Sequence, residues 1–304
     1  MKKLALQLSS LLKAFILVYC LCAAGSVVAQ NQPGLSIKPS TTGYAPANGL
    51  KLYYEVYGKG EPLVLLHGGF GTITMFGPVL EALAAKRQVI AVELQGHGHT
   101  ADIDRPITLE AMGDDVAALL KYLKIEKADI MGYSLGAGTA LQTTIRHPEV
   151  VRKLVVVSFP HKRSGWFAEV INQAGSMGPA SAEMMKQTPM YQAYISTAPK
   201  PEDWVKLNTK LGKLLQTDYD WTAGIKAIKS STLIVVGDAD AIHLSSAVEF
   251  FGLLGGGQKD GNWDGSGRSN SSLAILPGQT HYQIFIAPAL ANTVLPFLDE
   301  PVRK

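Results

Sequence analysis

Cysteine is nearly missing from this chain: there are two in 304 residues, Cys20 and Cys22, both near the start. A disulfide framework is therefore excluded for the body of the protein, which must rely on its core. Internal repetition is missing too. The 30 glycines follow no period, which excludes collagen-like and solenoid architectures. An excess of one charge is missing once the first residues are set aside. Removing Lys2, Lys3 and Lys13 leaves basic and acidic residues equal in number, so net charge gives no support to a nucleic-acid surface. Metal-ligand spacing is missing as well. Asp260 and Asp264 lie in a glycine-rich loop without a regular series ending in Glu. His97 and His99 lie in a tight "QGHGHT" turn with no third ligand evident.

What is present begins with "MKKLALQLSSLLKAFILVYCLCAAGSVVAQ". Lys2 and Lys3 precede an apolar body, and Val27-Val28-Ala29 offers small residues before Gln30, the pattern of a cleaved secretory signal. The competing reading is an uncleaved anchor, since Ala14 to Ala29 is long for a signal core. It is short of the ~20 apolar residues of a span. Neither cysteine follows the Leu-small-small pattern of a lipoprotein site. Cleavage implies a periplasmic or secreted protein with no thiol and no stable membrane association. The expected organisation is a signal at 1–29, a flexible leader at 30–42, a core from 43–158 and 232–304, and a helical insertion at 159–231.

The core pattern alternates. A hairpin signal at Asn48-Gly49 opens it. Buried strands then read at "PLVLLHGG", "QVIAVEL", "ADIMGY", "KLVVVS", "TLIVVGDAD" and "LAILPGQTH". Helical patterns lie between them, over Thr74–Ala85, Thr108–Leu123, Leu135–Arg146 and Ser245–Leu254, and a last one runs over Pro288–Leu298. The expected fold is α/β, a mainly parallel sheet with helices on both faces. Between Phe159 and Ser231 no buried strand reads. That stretch is rich in Met and aromatics, which suit either a lid over a site or internal packing.

"GYSLG", residues 132–136, sets Ser134 between a strand and a helix. A Gly-x-Ser-x-Gly turn raises a serine hydroxyl above the sheet edge. A phosphate loop is excluded because no Gly-Lys-Ser/Thr follows. A serine hydroxyl needs a base. Of seven histidines, His281 lies just past the last buried strand, whereas His147 reads as structural at a helix end and His161 stands in reserve. An acid to orient the imidazole should come from "VVGDAD", where spacing leaves Asp238 and Asp240 both open. Backbone N–H groups of Gly69, in "LLHGGFGT", and of Leu135 are the candidates to bind an oxyanion.

These motifs resemble the α/β-hydrolase superfamily from roughly Gly43 to Leu298. They are His67-Gly68-Gly69, Gly96-His97-Gly98, Gly132-Tyr133-Ser134-Leu135-Gly136, Gly237-Asp238-Ala239-Asp240 and Gly278-Gln279-Thr280-His281. The resemblance implies a cap after the sixth strand. It implies Asp240 as the triad acid with Ser134 and His281. Serine at the elbow separates the chain from members with aspartate there, the dehalogenases and epoxide hydrolases. Glu93 and Gln95 stand where many relatives carry an Asp and an Arg, which puts local loop salt bridges in doubt. The expected activity is cofactor-free and metal-free hydrolysis of a small carboxylic ester through an acyl-enzyme. Lactone or carbon–carbon bond hydrolysis and perhydrolysis share that triad. A receptor on the same fold is the non-enzymatic alternative, marked elsewhere by a lost triad member, and none is lost here.

Export generates the first prediction. N-terminal sequencing of the purified protein should begin near Gln30, and thiol titration should find none. A chain beginning at Met1, or one retaining Cys20, refutes cleavage.

Overall fold

The structure, a computed structural model, describes residues 35–301. The signal reading lies outside the described residues. One eight-stranded sheet holds β1 (Thr41–Ala47), β2 (Leu50–Tyr57), β3 (Pro62–Leu66), β4 (Gln88–Val92), β5 (Ala128–Tyr133), β6 (Val151–Val157), β7 (Ser231–Ala239) and β8 (Ser272–Thr280). Their order is β1-β2-β4-β3-β5-β6-β7-β8. The first two strands run antiparallel, and β3 to β8 are mutually parallel. This is the expected α/β class.

The continuous apolar strands follow from burial on both faces. Alternate residues go to opposite layers. Leu63, Leu65, Met131, Val155 and Val235 pack under α1 (Pro78–Ala84) and α10 (Pro288–Asp299). Val64, Leu66, Ile130, Val156 and Ile234 pack under α2 (Leu109–Tyr122), α3 (Leu135–Arg146) and α9 (Leu244–Leu253). Each fully buried aliphatic side chain contributes about 1.5–3 kcal/mol, so these two layers carry the fold without any disulfide.

Two expectations are corrected. Residues 35–42 are not a loose leader. Ser40 N–H bonds the Val56 carbonyl, β1 begins at Thr41, and Leu35 and Ile37 pack on the second layer. An edge strand tolerates the exposed Thr41 and Thr42 because one side faces water. The helix expected over Thr74–Ala85 is broken. A 3₁₀ turn spans Ile73–Phe76, and Gly77 at φ 44° separates it from α1. Pro78 restarts the helix, where its missing N–H has no bond to lose.

Between β6 and β7 the insertion holds α4 (Ala168–Gly175), α5 (Pro179–Met185), α6 (Pro189–Thr197), α7 (Trp204–Gln216) and α8 (Thr222–Ala227). Trp204, Leu207 and Leu211 are the buried stripe of α7, spaced three and four apart. The stripe seats α7 on the core loops. The Trp204 ring meets Phe70 at 5.2 Å, and Leu207 packs over Gly96. Polar bonds fasten the same helix. Lys210 Nζ donates to both oxygens of Asp102 (2.9 and 2.7 Å) and to the carbonyls of Ile103 and Arg105. Lys206 reaches Asp102 at 2.6 Å, and Gln95 Nε2 donates to it at 2.7 Å.

Burial alone would raise the Asp102 carboxyl, but bonds from Gln95, Lys206 and Lys210 outweigh it and hold it below the usual range. A depressed folded value means the latch is intact above the unfolded carboxylate value of about 3.9 and is lost as pH falls below that. Each hydrogen bond to a charged group contributes about 1.5–3 kcal/mol, and the apolar stripe stays in place when the carboxylate is removed. Asp102→Asn should therefore loosen the insertion without unfolding the core. Limited proteolysis should cut within residues 159–231 several-fold faster, with the thermal midpoint little changed. Cleavage at the wild-type rate contradicts the latch.

Candidate active site

Strand β5 ends at Tyr133, and the chain reverses into α3 through Ser134 at φ 50°, ψ −118°. That conformation is strained for a residue with a side chain. It is held because the residues two positions away on either side, Gly132 and Gly136, have none. A Cβ on Gly132 would lie 2.0 Å from the Gly136 carbonyl oxygen, and one on Gly136 would lie 2.2 Å from that of Leu66. Ser134 N–H donates to Val157 at 2.9 Å, tying the bend to β6. The half-buried serine is left at the C-terminal edge of the parallel strands, where open α/β sheets bind ligands.

His281, just past β8, donates Nδ1–H to Asp240 Oδ1 at 2.9 Å. Its Nε2 is then free to accept from Ser134 Oγ–H at 3.1 Å. Asp240 is buried, with Gly237 N–H (3.0 Å) and Ser158 Oγ on Oδ2 and Ala241 N–H (2.7 Å) on Oδ1. Burial opposes its charge, but the bond from His281, then those from Ser158 and Gly237, hold the carboxyl below its ordinary value. Asp238 is exposed and does not share this arrangement. Tyr133 Oη–H donates to the His281 carbonyl at 2.6 Å.

Leu135 opens α3, so its N–H has no acceptor within the helix. Gly68 lies against Ser134: a Cβ on it would sit 3.5 Å from the serine Cβ. Gly69 follows in the turn closed by Gly71 N–H on the Gly68 carbonyl at 3.0 Å. Phe70, at φ 58°, turns its ring toward Trp204.

Of the other histidines, His243 packs on Phe167 with ring centroids 4.0 Å apart. His147 pairs with Asp114 at 2.7 Å, and His161 lies buried 3.6 Å from Glu249. His99 Nδ1 meets Glu93 Oε2 at 2.8 Å, and Gln95 bridges Asp102 and Arg105. The two departures from the family pattern thus hold their loop with other bonds. Sequence reasoning did not single out Ser158, Tyr133 or Trp166. Ser158 ends a strand at the same edge as Ser134, which was its one legible signal.

A family model described as alpha/beta hydrolase fold matches residues 61–202. A curated relative, 2-hydroxymuconate semialdehyde hydrolase of Pseudomonas sp. (strain CF600), is 34% identical over 149 residues, covering 46% of this chain and 50% of the relative. The chain spans about half the length, or less, of the first curated relatives it matches. Carboxylesterase CesB from Bacillus subtilis superposes with TM-score 0.68 at 19% identity, over 93% of this chain and 98% of that one. The enol-lactonase from Burkholderia xenovorans LB400 superposes with TM-score 0.63 at 22% identity, over 84% and 100%. At these identities both likenesses concern the fold.

Beneath the Gly68–Gly71 turn lie His67 and His97, both fully buried, with ring centroids 5.0 Å apart. His67 Nδ1–H donates to the Gly68 carbonyl at 2.7 Å, and its Nε2 accepts Leu94 N–H at 3.1 Å, so the neutral ring is what fits. Burial first, then the neighbouring His97, pushes His67 down from 6.5 to about 3. Burial pushes His97 down to about 4. The unfolded chain binds protons on these rings below about 6.5, while the folded chain does not. Stability therefore falls with pH between about 6.5 and 4. The thermal midpoint should drop across that window, and His97→Gln should flatten the drop. A wild-type midpoint constant over the window contradicts the neutral pair.

Proposed function

Because the chain belongs to the α/β-hydrolase superfamily, we propose that it is a serine hydrolase that cleaves small carboxylic esters and does so after export. The observation that carries this reading is the chain of hydrogen bonds from Ser134 through His281 to Asp240. Ser134 Oγ attacks the ester carbonyl while its proton passes to His281 Nε2. Asp240 holds the ring in the tautomer that can receive it and stabilises the imidazolium. The carbonyl oxygen takes the negative charge, met by the N–H groups of Gly69 and Leu135. His281 returns its proton to the leaving alkoxide, and the alcohol departs. A water then gives a proton to His281 and attacks the acyl group, releasing the acid and restoring Ser134. No step calls for a metal or a cofactor.

The insertion supports a small substrate. Helix α7 lies over the loops after β3 and β4, with Leu211 about 4.0 Å from the Cβ position of Gly69. A lactone is the second reading, because it carries the same ester bond within a ring. It uses the same attack, with the alcohol remaining tethered to the acyl group.

A fluorophosphonate should label Ser134, and Ser134→Ala should lower kcat by at least ~10³ with the fold retained. Asp240→Asn should lower kcat by roughly 10⁴, while the exposed Asp238→Asn should stay within about twofold. Labelling at another residue, full activity of Ser134→Ala, or the reverse ranking of the two aspartates would sink the assignment. Short soluble esters should be hydrolysed faster than long-chain emulsions.

A further inference from the structure

The imidazole of His281 has a neighbour that belongs to the insertion. The Trp166 ring stands edge-on to it, centroids 5.6 Å apart and planes at 72°. Trp166 is held from several directions. Its indole Nε1–H donates to Tyr219 Oη at 2.9 Å, and Tyr219 Oη–H reaches the Pro160 carbonyl at 3.3 Å. Phe159 packs edge-on against it at 5.5 Å and stacks on Tyr219. The backbone is fixed as well. Phe167 N–H donates to Ala241, His243 N–H donates to Gly165, and Trp166 bridges Ile242. This segment is therefore bonded to the loop that carries Asp240. Gly165 makes the approach possible: a Cβ there would lie 2.4 Å from both Pro160 Cβ and Ser246 Oγ.

An indole fixed at this position meets a particular half of an ester. The leaving oxygen takes its proton from His281 Nε2, so it must come within hydrogen-bond reach of that atom, about 3 Å. The carbon chain on that oxygen begins beside the imidazole, which the edge of the indole also approaches. The acyl group stays on Ser134.

Resting on the ester-hydrolase reading above, we propose that Trp166, locked by Tyr219, limits the size of the alcohol half of the substrate. Compact primary alcohols pass beside His281, and bulky cyclic ones meet the indole. A packed pocket discriminates by about 10- to 200-fold per group of methylene size. The indole cannot swing aside without breaking its bond to Tyr219 and its contact with Phe159.

The test varies each half of the ester separately. Ethyl acetate and cyclohexyl acetate differ in the alcohol, and ethyl acetate and ethyl hexanoate differ in the acyl group. kcat/KM is measured on wild type, Trp166→Ala and Tyr219→Phe, with fluorophosphonate labelling of Ser134 in each. Wild type should favour ethyl over cyclohexyl acetate. Trp166→Ala should shrink that preference by at least about tenfold and leave the hexanoate-to-acetate ratio within about twofold. Tyr219→Phe keeps a ring in the stack and removes the indole's bond, so it should shrink the preference by a smaller factor even if Trp166→Ala fails to fold. Labelled variants with an unchanged alcohol preference overturn the proposal and leave the serine hydrolase standing. A change in the acyl ratio alone overturns it too, placing the indole on the other half. A labelled wild type that turns over no ethyl ester also overturns it. Wild type that is neither labelled nor active removes the ester-hydrolase reading itself, and the proposal with it.

Discussion

A carboxylate taken out of water must find its hydrogen bonds in the protein or lose its charge, and Asp240 finds four. They come from the end of β6 (Ser158), from β7 (Gly237), from its own loop (Ala241) and from the segment past β8 (His281). Burying an unpaired carboxylate costs several kcal/mol, so removing any one donor unsettles the others. This is why three adjacent strand ends must keep their register. The loop after Asp240 in turn receives the first segment of the insertion. The hydrogen bond to His281 is thus one corner of an arrangement that also sets where β6, β7 and the insertion meet.

How much of this was legible in sequence depends on how local each determinant is. The elbow was legible because its requirement lies within five residues: two glycines pressed against backbone oxygen on either side of Ser134. The hairpin at Asn48-Gly49 was legible for the same reason. Strand β5 and helix α3 begin and end where the pattern set them. The choice between Asp238 and Asp240 was not legible from spacing, because both sit past an apolar strand. Burial separates them, and burial is a property of the folded sheet. Ser158 was missed because its bond to Asp240 spans 82 residues. The turn at Gly77 was missed because an amphipathic pattern continues across it.

The insertion shows what composition leaves open. Its methionines and aromatics divide among different tasks. Trp204 is internal, packed between Phe70, Tyr191 and Tyr194. Met184 and Met190 face solvent. Trp166 alone among its tryptophans has a ring contact with His281 among those described. A count of apolar residues could not rank these fates, since each helix has two sides and the sequence does not say which one the core will meet. The lysines of α7 were equally silent until Asp102 was seen to gather them.

The bonds between residues 165–167 and 241–243 fix the start of the insertion to the loop of Asp240. A rotation about that end would drag the loop of Asp240 and pull the carboxylate off its histidine. The segment whose indole approaches the imidazole and the loop that holds the carboxylate therefore move together or not at all. The entry to the insertion is a splint on the proton relay.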